Sequence, residues 1–180
     1  MKVAVTGHTN GIGQGLYRYF ETQGYEVHGY SRSNGYTLPD AEHRVLNEID
    51  DCDIFVNNAY PVSSQIFFVK HLWPRWVDKN KKIIVIGSIA AHLQFELEIQ
   101  EYQQQKKELD ILCKSLRYSS MNSACSIISI HPGYTMTNLY NISPLIFPPI
   151  DQCLTVDQVV SVVDYALTSS LKIDDIVVRR

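Results

Sequence analysis

Short runs of β-branched and aliphatic residues alternate with longer stretches whose apolar positions return every three or four residues. That alternation predicts parallel strands joined by crossover helices. Residues 2–6 read as a buried strand, 7–13 as a glycine-rich turn, and the helix after it runs to about Gln23, where Gly24 stops it. A second strand falls at 25–30, a short helix behind Pro39 at 40–49, and a third strand at 53–57. Residues 64–78 are helical in pattern apart from Pro74, and the Lys79-Asn80-Lys81-Lys82 cluster ends them. Residues 83–86 are β-branched throughout, as a strand buried on both faces requires. A long helix over 96–119 carries Leu109, Leu112 and Leu116 on one side, and a strand over 124–130 is ended by His131-Pro132-Gly133. A proline-containing loop spans 135–149, Thr155-Val156-Asp157-Gln158 has capping-box spacing for a helix to about Ser169, and 173–178 closes the sheet. The expected fold is α/β: a Rossmann-type doubly wound parallel β-sheet flanked by helices, as a single domain over residues 1–180.

Composition narrows the partners. The 180 residues are 45% hydrophobic and 19% charged, enough for one substantial core and too little for a cofactor domain beside a separate substrate domain. A net charge of −3 provides no field to recruit nucleic acid or an anionic membrane, so a small molecule is the expected partner. No apolar run approaches the roughly 20 residues of a membrane span, and the first residues lead directly into a strand, which together imply a cytoplasmic location. Cys52, Cys113, Cys125 and Cys153 are widely spaced and contain no C-x-x-C pair; four reduced, buried thiols are expected and no metal site.

Between the first strand and the first helix lies Thr6-Gly7-His8-Thr9-Asn10-Gly11-Ile12-Gly13. Glycine there permits positive φ and close backbone approach, and a helix N-terminus offers N–H groups to a pyrophosphate. The second strand ends at Ser31-Arg32, where dinucleotide folds inspect the adenosine ribose; an arginine in place of a carboxylate favours a 2′-phosphate. Tyr102 and Lys106 are four apart and share a helix face, and a nearby cation favours phenolate, which suits tyrosine to proton transfer at a carbonyl. Ser88 follows a buried strand and emerges at the carboxyl edge of a parallel sheet, where it can polarise a substrate oxygen. Each of these has an ordinary structural explanation alone: a turn, a solvated arginine, a chance spacing, a strand-end serine.

Together, in order, they resemble the short-chain dehydrogenase/reductase family. The G-x-x-x-G-x-G spacing, Asn57-Asn58-Ala59-Tyr60 near the family's N-N-A-G, Ser88 fourteen positions before Tyr102, and Pro132-Gly133 with Thr137 near its P-G-x-x-x-T carry the resemblance from Thr6 to about Thr137. The resemblance implies a catalytic set of Ser88, Tyr102 and Lys106, with Ser88 orienting the substrate oxygen, Tyr102 as general acid/base, and Lys106 lowering the tyrosine pKa and binding the ribose. It implies cofactor contacts from Gly7, His8, Thr9, Asn10, Gly11, Ile12, Gly13, Ser31, Arg32, Asn58, Ala59, Tyr60, Tyr102, Lys106, Pro132, Gly133, Thr135 and Thr137. NADP (NADPH) is the favoured cofactor, with NAD possible, and a homo-oligomer, most plausibly a dimer, is expected.

The pattern also breaks. The family's catalytic asparagine would fall near 61–63, and no asparagine lies between Asn58 and Asn80; Ser63 or Ser64 could substitute in the relay, or the relay is absent. Tyr60 replaces the glycine of N-N-A-G. The adenine side is shortened at Gly35-Tyr36-Thr37-Leu38, the substrate cover is reduced to 138–149 with Tyr140, Leu145, Ile146 and Phe147, and no terminal extension follows Arg180. His8 is weighed between cofactor contact and loop surface, His92 between the substrate mouth and solvent, and Trp73 and Trp76 between packing and an interface. Two functions remain: an NAD(P)-dependent oxidoreductase interconverting a carbonyl and a secondary alcohol, or a catalytically weak NAD(P)-binding sensor or assembly protein. An epimerase or dehydratase finds little room in the C-terminal half.

Overall fold

The computed structural model describes residues 1–92, 100–137 and 148–180. Strands β1 (Lys2–Thr6), β2 (Glu26–Tyr30), β3 (Ile54–Asn57), β4 (Lys82–Ile86), β5 (Ser126–Pro132) and β6 (Asp175–Val178) form one parallel sheet in the order β2-β1-β3-β4-β5-β6. Five helices flank it among the described residues: α1 (Gly11–Thr22), α2 (Glu42–Glu48), α3 (Val62–Trp76), α4 (Gln100–Ser119) and α5 (Val156–Thr168). This is the doubly wound arrangement expected from the sequence.

Period-two alternation divides the core. Ala4, Phe55, Ile83, Val85 and Ile127 face α2, α3 and α4 with Phe68, Leu72, Trp76 and Leu109. Val3, Val5, Val56, Ile84, Ile86 and Ile130 face α1 and α5 with Leu16, Phe20, Val159 and Val163. Both faces are covered by helices, which is why the central strands carry almost no polar residues. Trp73 and Trp76 belong to this interior, as do all four free cysteines, and Leu109 with the half-buried Leu112 and Leu116 packs on it. The leucine stripe of α4 is therefore explained within the chain.

Two boundaries depart from expectation. The helix α3 begins at Val62 and passes through Pro74; the proline removes one donor, and Val77 N–H resumes helical bonding to Trp73 O at 2.9 Å. Strand β5 does not stop at Ile130, because His131 and Pro132 pair with Val177 and Val178 of β6. The predicted start of α4 at 96 and most of the loop over 135–149, including Tyr140, Leu145, Ile146 and Phe147, lie outside the described residues. Thr155 caps α5 as its spacing predicts, accepting from Gln158 N–H while the Gln158 side chain accepts from Thr155 N–H.

Strand β1 pairs with β2 on one side and β3 on the other, so the chain reverses direction across the sheet there. The carboxyl ends of β1 and β3 consequently border the crevice where doubly wound folds bind ligands. On the adenine side no further strand follows β2 before α2; a 3₁₀ turn (Arg32–Asn34) takes its place.

Candidate active site

The phosphate loop is built from what glycine lacks. Gly7 has φ +70° and Gly11 φ +55°, and a Cβ on Gly13 would stand 2.2 Å from Gly7 O. The loop is braced from β3: Thr6 Oγ1 accepts from Asn58 N–H at 3.0 Å and Ala59 N–H at 3.1 Å, and Asn58 Nδ2 donates to Thr6 O at 3.0 Å. Asn10 precedes α1 without a side-chain cap, leaving the first-turn N–H groups directed at the crevice. A dinucleotide pyrophosphate fits this cradle. The fit rests on the missing side chains and the uncapped helix end.

His8 turns inward: its ring packs on Tyr17 with centroids 5.2 Å apart, and a Cβ on Gly29 would collide with it at 2.3 Å. Ser31 is buried at the N-cap of the 3₁₀ turn, its hydroxyl engaged with Ser33 Oγ at 2.8 Å, while Arg32 is exposed beside it. Tyr60 is exposed and Ala59 half-buried. Thr137 lies against the loop, with its side-chain carbons 3.1 and 3.2 Å from where a Gly11 Cβ would be. Gly133 N–H donates to Val178 O at 2.7 Å, and Thr135 Oγ1 donates to Gly133 O at 3.0 Å, fixing the turn after β5. Gly11, Met136 and Thr137 also line a cleft of about 620 Å³ between α1 and α5 with Gly15, Arg18 and Val156. Neither Ser88, Tyr102 nor Lys106 borders that cleft, so it meets the site only at its phosphate end.

Ser88, Tyr102 and Lys106 converge. Ser88 caps the 3₁₀ turn (Ile89–Ala91) beyond β4, accepting from Ala90 N–H at 3.1 Å, with its hydroxyl near enough to the Tyr102 phenol to act on its pKa. Burial pushes Tyr102 above its ordinary pKa, and the Ser88 hydroxyl pulls the other way. Lys106 Nζ stands 5.6 Å from the centroid of the Tyr102 ring and donates to Gln65 Oε1 at 2.7 Å and Ile86 O at 3.0 Å. With only neutral acceptors around it, desolvation lowers the ammonium to about 7. The expectation that Lys106 draws the phenol downward is therefore not met in this arrangement, because burial has weakened the cation itself.

Gln65 was missed from the sequence. Its Nε2 donates to Asn57 O at 2.8 Å and Ile86 O at 3.1 Å, and Asn57 Nδ2 donates back to Gln65 O at 2.8 Å. Ser63 is exposed, and Ser64 is buried with no partner for its hydroxyl among the described residues. An amide thus reaches Lys106 from α3, two to four residues beyond the stretch where the asparagine was sought. The available signal was a long amide near the start of a helix whose inner face is otherwise apolar apart from Ser64.

No family model and no curated protein matches the chain. Solved structures do. A 4-hydroxyisoleucine dehydrogenase mutant complexed with NADH and succinate has TM-score 0.80 at 16% identity, over 99% of this chain and 96% of that one. Serine dehydrogenase from Escherichia coli has TM-score 0.74 at 19% identity, over 100% and 98% of the two chains. A short-chain dehydrogenase from Burkholderia cenocepacia in complex with NADP has TM-score 0.80 at 18% identity, over 99% and 88%. The fold is that of the short-chain dehydrogenases/reductases, and no helix among the described residues is long and apolar enough to cross a membrane.

Proposed function

We propose that the protein is a nicotinamide-dependent oxidoreductase of short-chain type that interconverts a small-molecule carbonyl and a secondary alcohol. The observation that carries this reading is the convergence of Ser88 and Tyr102 beside Lys106, at the carboxyl edge of the sheet that also bears the glycine cradle. Shared fold alone would not carry it, since one fold serves many activities.

The cradle from Gly7 to Gly13 would hold the pyrophosphate, and Gly133, Thr135 and Thr137 would flank the nicotinamide end. The cofactor, when bound, supplies or accepts the hydride. Ser88 donates a hydrogen bond to the substrate oxygen, and Tyr102 protonates that oxygen during reduction or takes its proton during oxidation. A buried phenol with a raised pKa holds its proton until negative charge develops on that oxygen, which suits it to the reducing direction. Lys106, close to half protonated near neutral pH, can accept or return a proton behind the phenol. NADPH is the preferred form in this reading, because Ser31-Arg32-Ser33-Asn34 places a guanidinium and no carboxylate at the ribose end of β2.

The test is NADPH binding by fluorescence and NADPH oxidation across a panel of aldehydes and ketones. Tyr102→Phe is expected to keep cofactor affinity and lose roughly 100-fold or more in kcat. Undiminished turnover in that variant would remove the mechanism. The second reading, a binding protein with weak chemistry, draws on the engagement of Lys106 with Gln65 and Ile86 O. Tight NADPH binding without turnover on any carbonyl would favour it.

A further inference from the structure

We propose that His92, Asp110 and His131 form a site for one divalent cation of the zinc class, with Asp175 beside His131. Four separate elements bring these side chains together. His92 ends the 3₁₀ turn that Ser88 begins, Asp110 lies one turn beyond Lys106 on α4, His131 belongs to β5, and Asp175 opens β6. One ligand atom from each of His92, Asp110 and His131 lies within 4.8 Å of the others. The sequence directed attention to cysteine spacing, and this set contains no cysteine.

One spacing is close to that of a tetrahedral site. Zinc bonds of about 2.0 Å to nitrogen or oxygen place neighbouring donors about 3.3 Å apart. His131 Nε2 lies 3.6 Å from Asp110 Oδ1, and it is hydrogen-bonded to Asp175 Oδ1 at 3.2 Å. His92, whose ring meets that of His131 edge-on at 4.5 Å, is exposed.

Asp110 supplies the independent pointer. It is only 7% exposed, yet its Oδ1 has no hydrogen-bond partner among the described residues. The 3.6 Å contact with His131 is too long to be one. Its other oxygen accepts from Lys114 Nζ at 2.7 Å, and the second oxygen of Asp175 accepts from Arg117 at 2.5 Å. Both carboxylates are thereby held from outside with Oδ1 presented to His131, as outer-shell partners orient ligands at metal centres.

The imidazoles are suited as well. Gly87 leaves the space in which His131 sits, since a Cβ there would be 2.5 Å from Nδ1, and this packing turns Nε2 toward the two carboxylates. Two imidazoles with a carboxylate select zinc, cobalt or nickel over magnesium or calcium. Three protein donors leave a fourth position for water, and the ion would tie together the Ser88 turn, α4 and β5.

The experiment titrates chelator-treated full-length protein with Zn²⁺ by calorimetry and with Co²⁺ by visible absorption. One equivalent is expected to bind, with cobalt giving the bands of a tetrahedral nitrogen/oxygen site. His92→Ala, at an exposed position, and the near-isosteric Asp110→Asn are each expected to weaken binding at least about tenfold while circular dichroism stays native. Three results overturn the proposal: no stoichiometric binding to the folded wild type, affinity unchanged in both variants, or a thiolate charge-transfer band assigning the metal to cysteine.

Discussion

Lys106 Nζ donates to Gln65 Oε1 at 2.7 Å, a buried contact between a lysine and an uncharged amide, with no carboxylate accepting from Nζ among the described residues. The lysine is thus positioned without being stabilised as a cation. Gln65 also ties β3 to β4 through Asn57 O and Ile86 O, so one side chain spans the floor of the site.

Gln65→Leu leaves Asn57 O without its amide donor and Lys106 with one acceptor fewer. Each buried orphan costs about 1–3 kcal/mol, so the melting temperature should fall, and kcat should fall with it. Gln65→Glu should move Lys106 the other way, since an adjacent carboxylate favours the ammonium. Wild-type turnover in a folded Gln65→Leu protein would show that Gln65 has no positioning role.

Lys106 is held at about 7 in the fold against an ordinary 10.5. Between those values the unfolded chain binds the extra proton, so this group's contribution to stability rises with pH from about 7 and is at its least favourable below. The span corresponds to roughly 5 kcal/mol. Lys106→Met should therefore raise the urea midpoint at pH 6–7 and flatten its rise toward pH 9.5 relative to wild type. Parallel curves for the two proteins would contradict a neutralised lysine.

Gly13→Ala places a methyl 2.2 Å from Gly7 O, which the loop can accept only by opening. Overpacking of this kind costs about 1–3 kcal/mol. Since the strain falls on the cradle, NADPH affinity should drop roughly tenfold, and a Kd equal to that of the wild type would mean the pyrophosphate does not sit there.

Arg32 is exposed and Ser31 is already engaged within its own turn, so in the proposed reading discrimination at the ribose would rest on the guanidinium. Arg32→Ala should weaken NADPH roughly tenfold while leaving NADH within about twofold, as loss of one charge-assisted bond predicts. Equal loss for both cofactors would argue against a 2′-phosphate contact.

Local pattern was a good guide where burial and backbone chemistry act over a few residues. The β-branched run before Gly87 had to be a two-sided strand, Thr155 and Gln158 had to cap a helix, and Gly7 to Gly13 had to form a turn that side chains would obstruct. The four-residue spacing put Tyr102 and Lys106 on one helix face, and the strand before Ser88 put its hydroxyl at the sheet edge. Those inferences survive because their cause lies in adjacent residues.

What the residues by themselves determined is the alternation of strands and helices, the doubly wound sheet and the order of its chemical groups along the chain. Tertiary structure decided the rest. Only packing of α3 against α4 brought Gln65 to Lys106 across 41 positions, and only the surrounding apolar core withdrew the charge from that lysine. Only the pairing of β5 with β6 set Asp175 beside His131, 44 positions away. Desolvation and long-range contact depend on what surrounds a side chain in three dimensions, and no window of sequence contains that information.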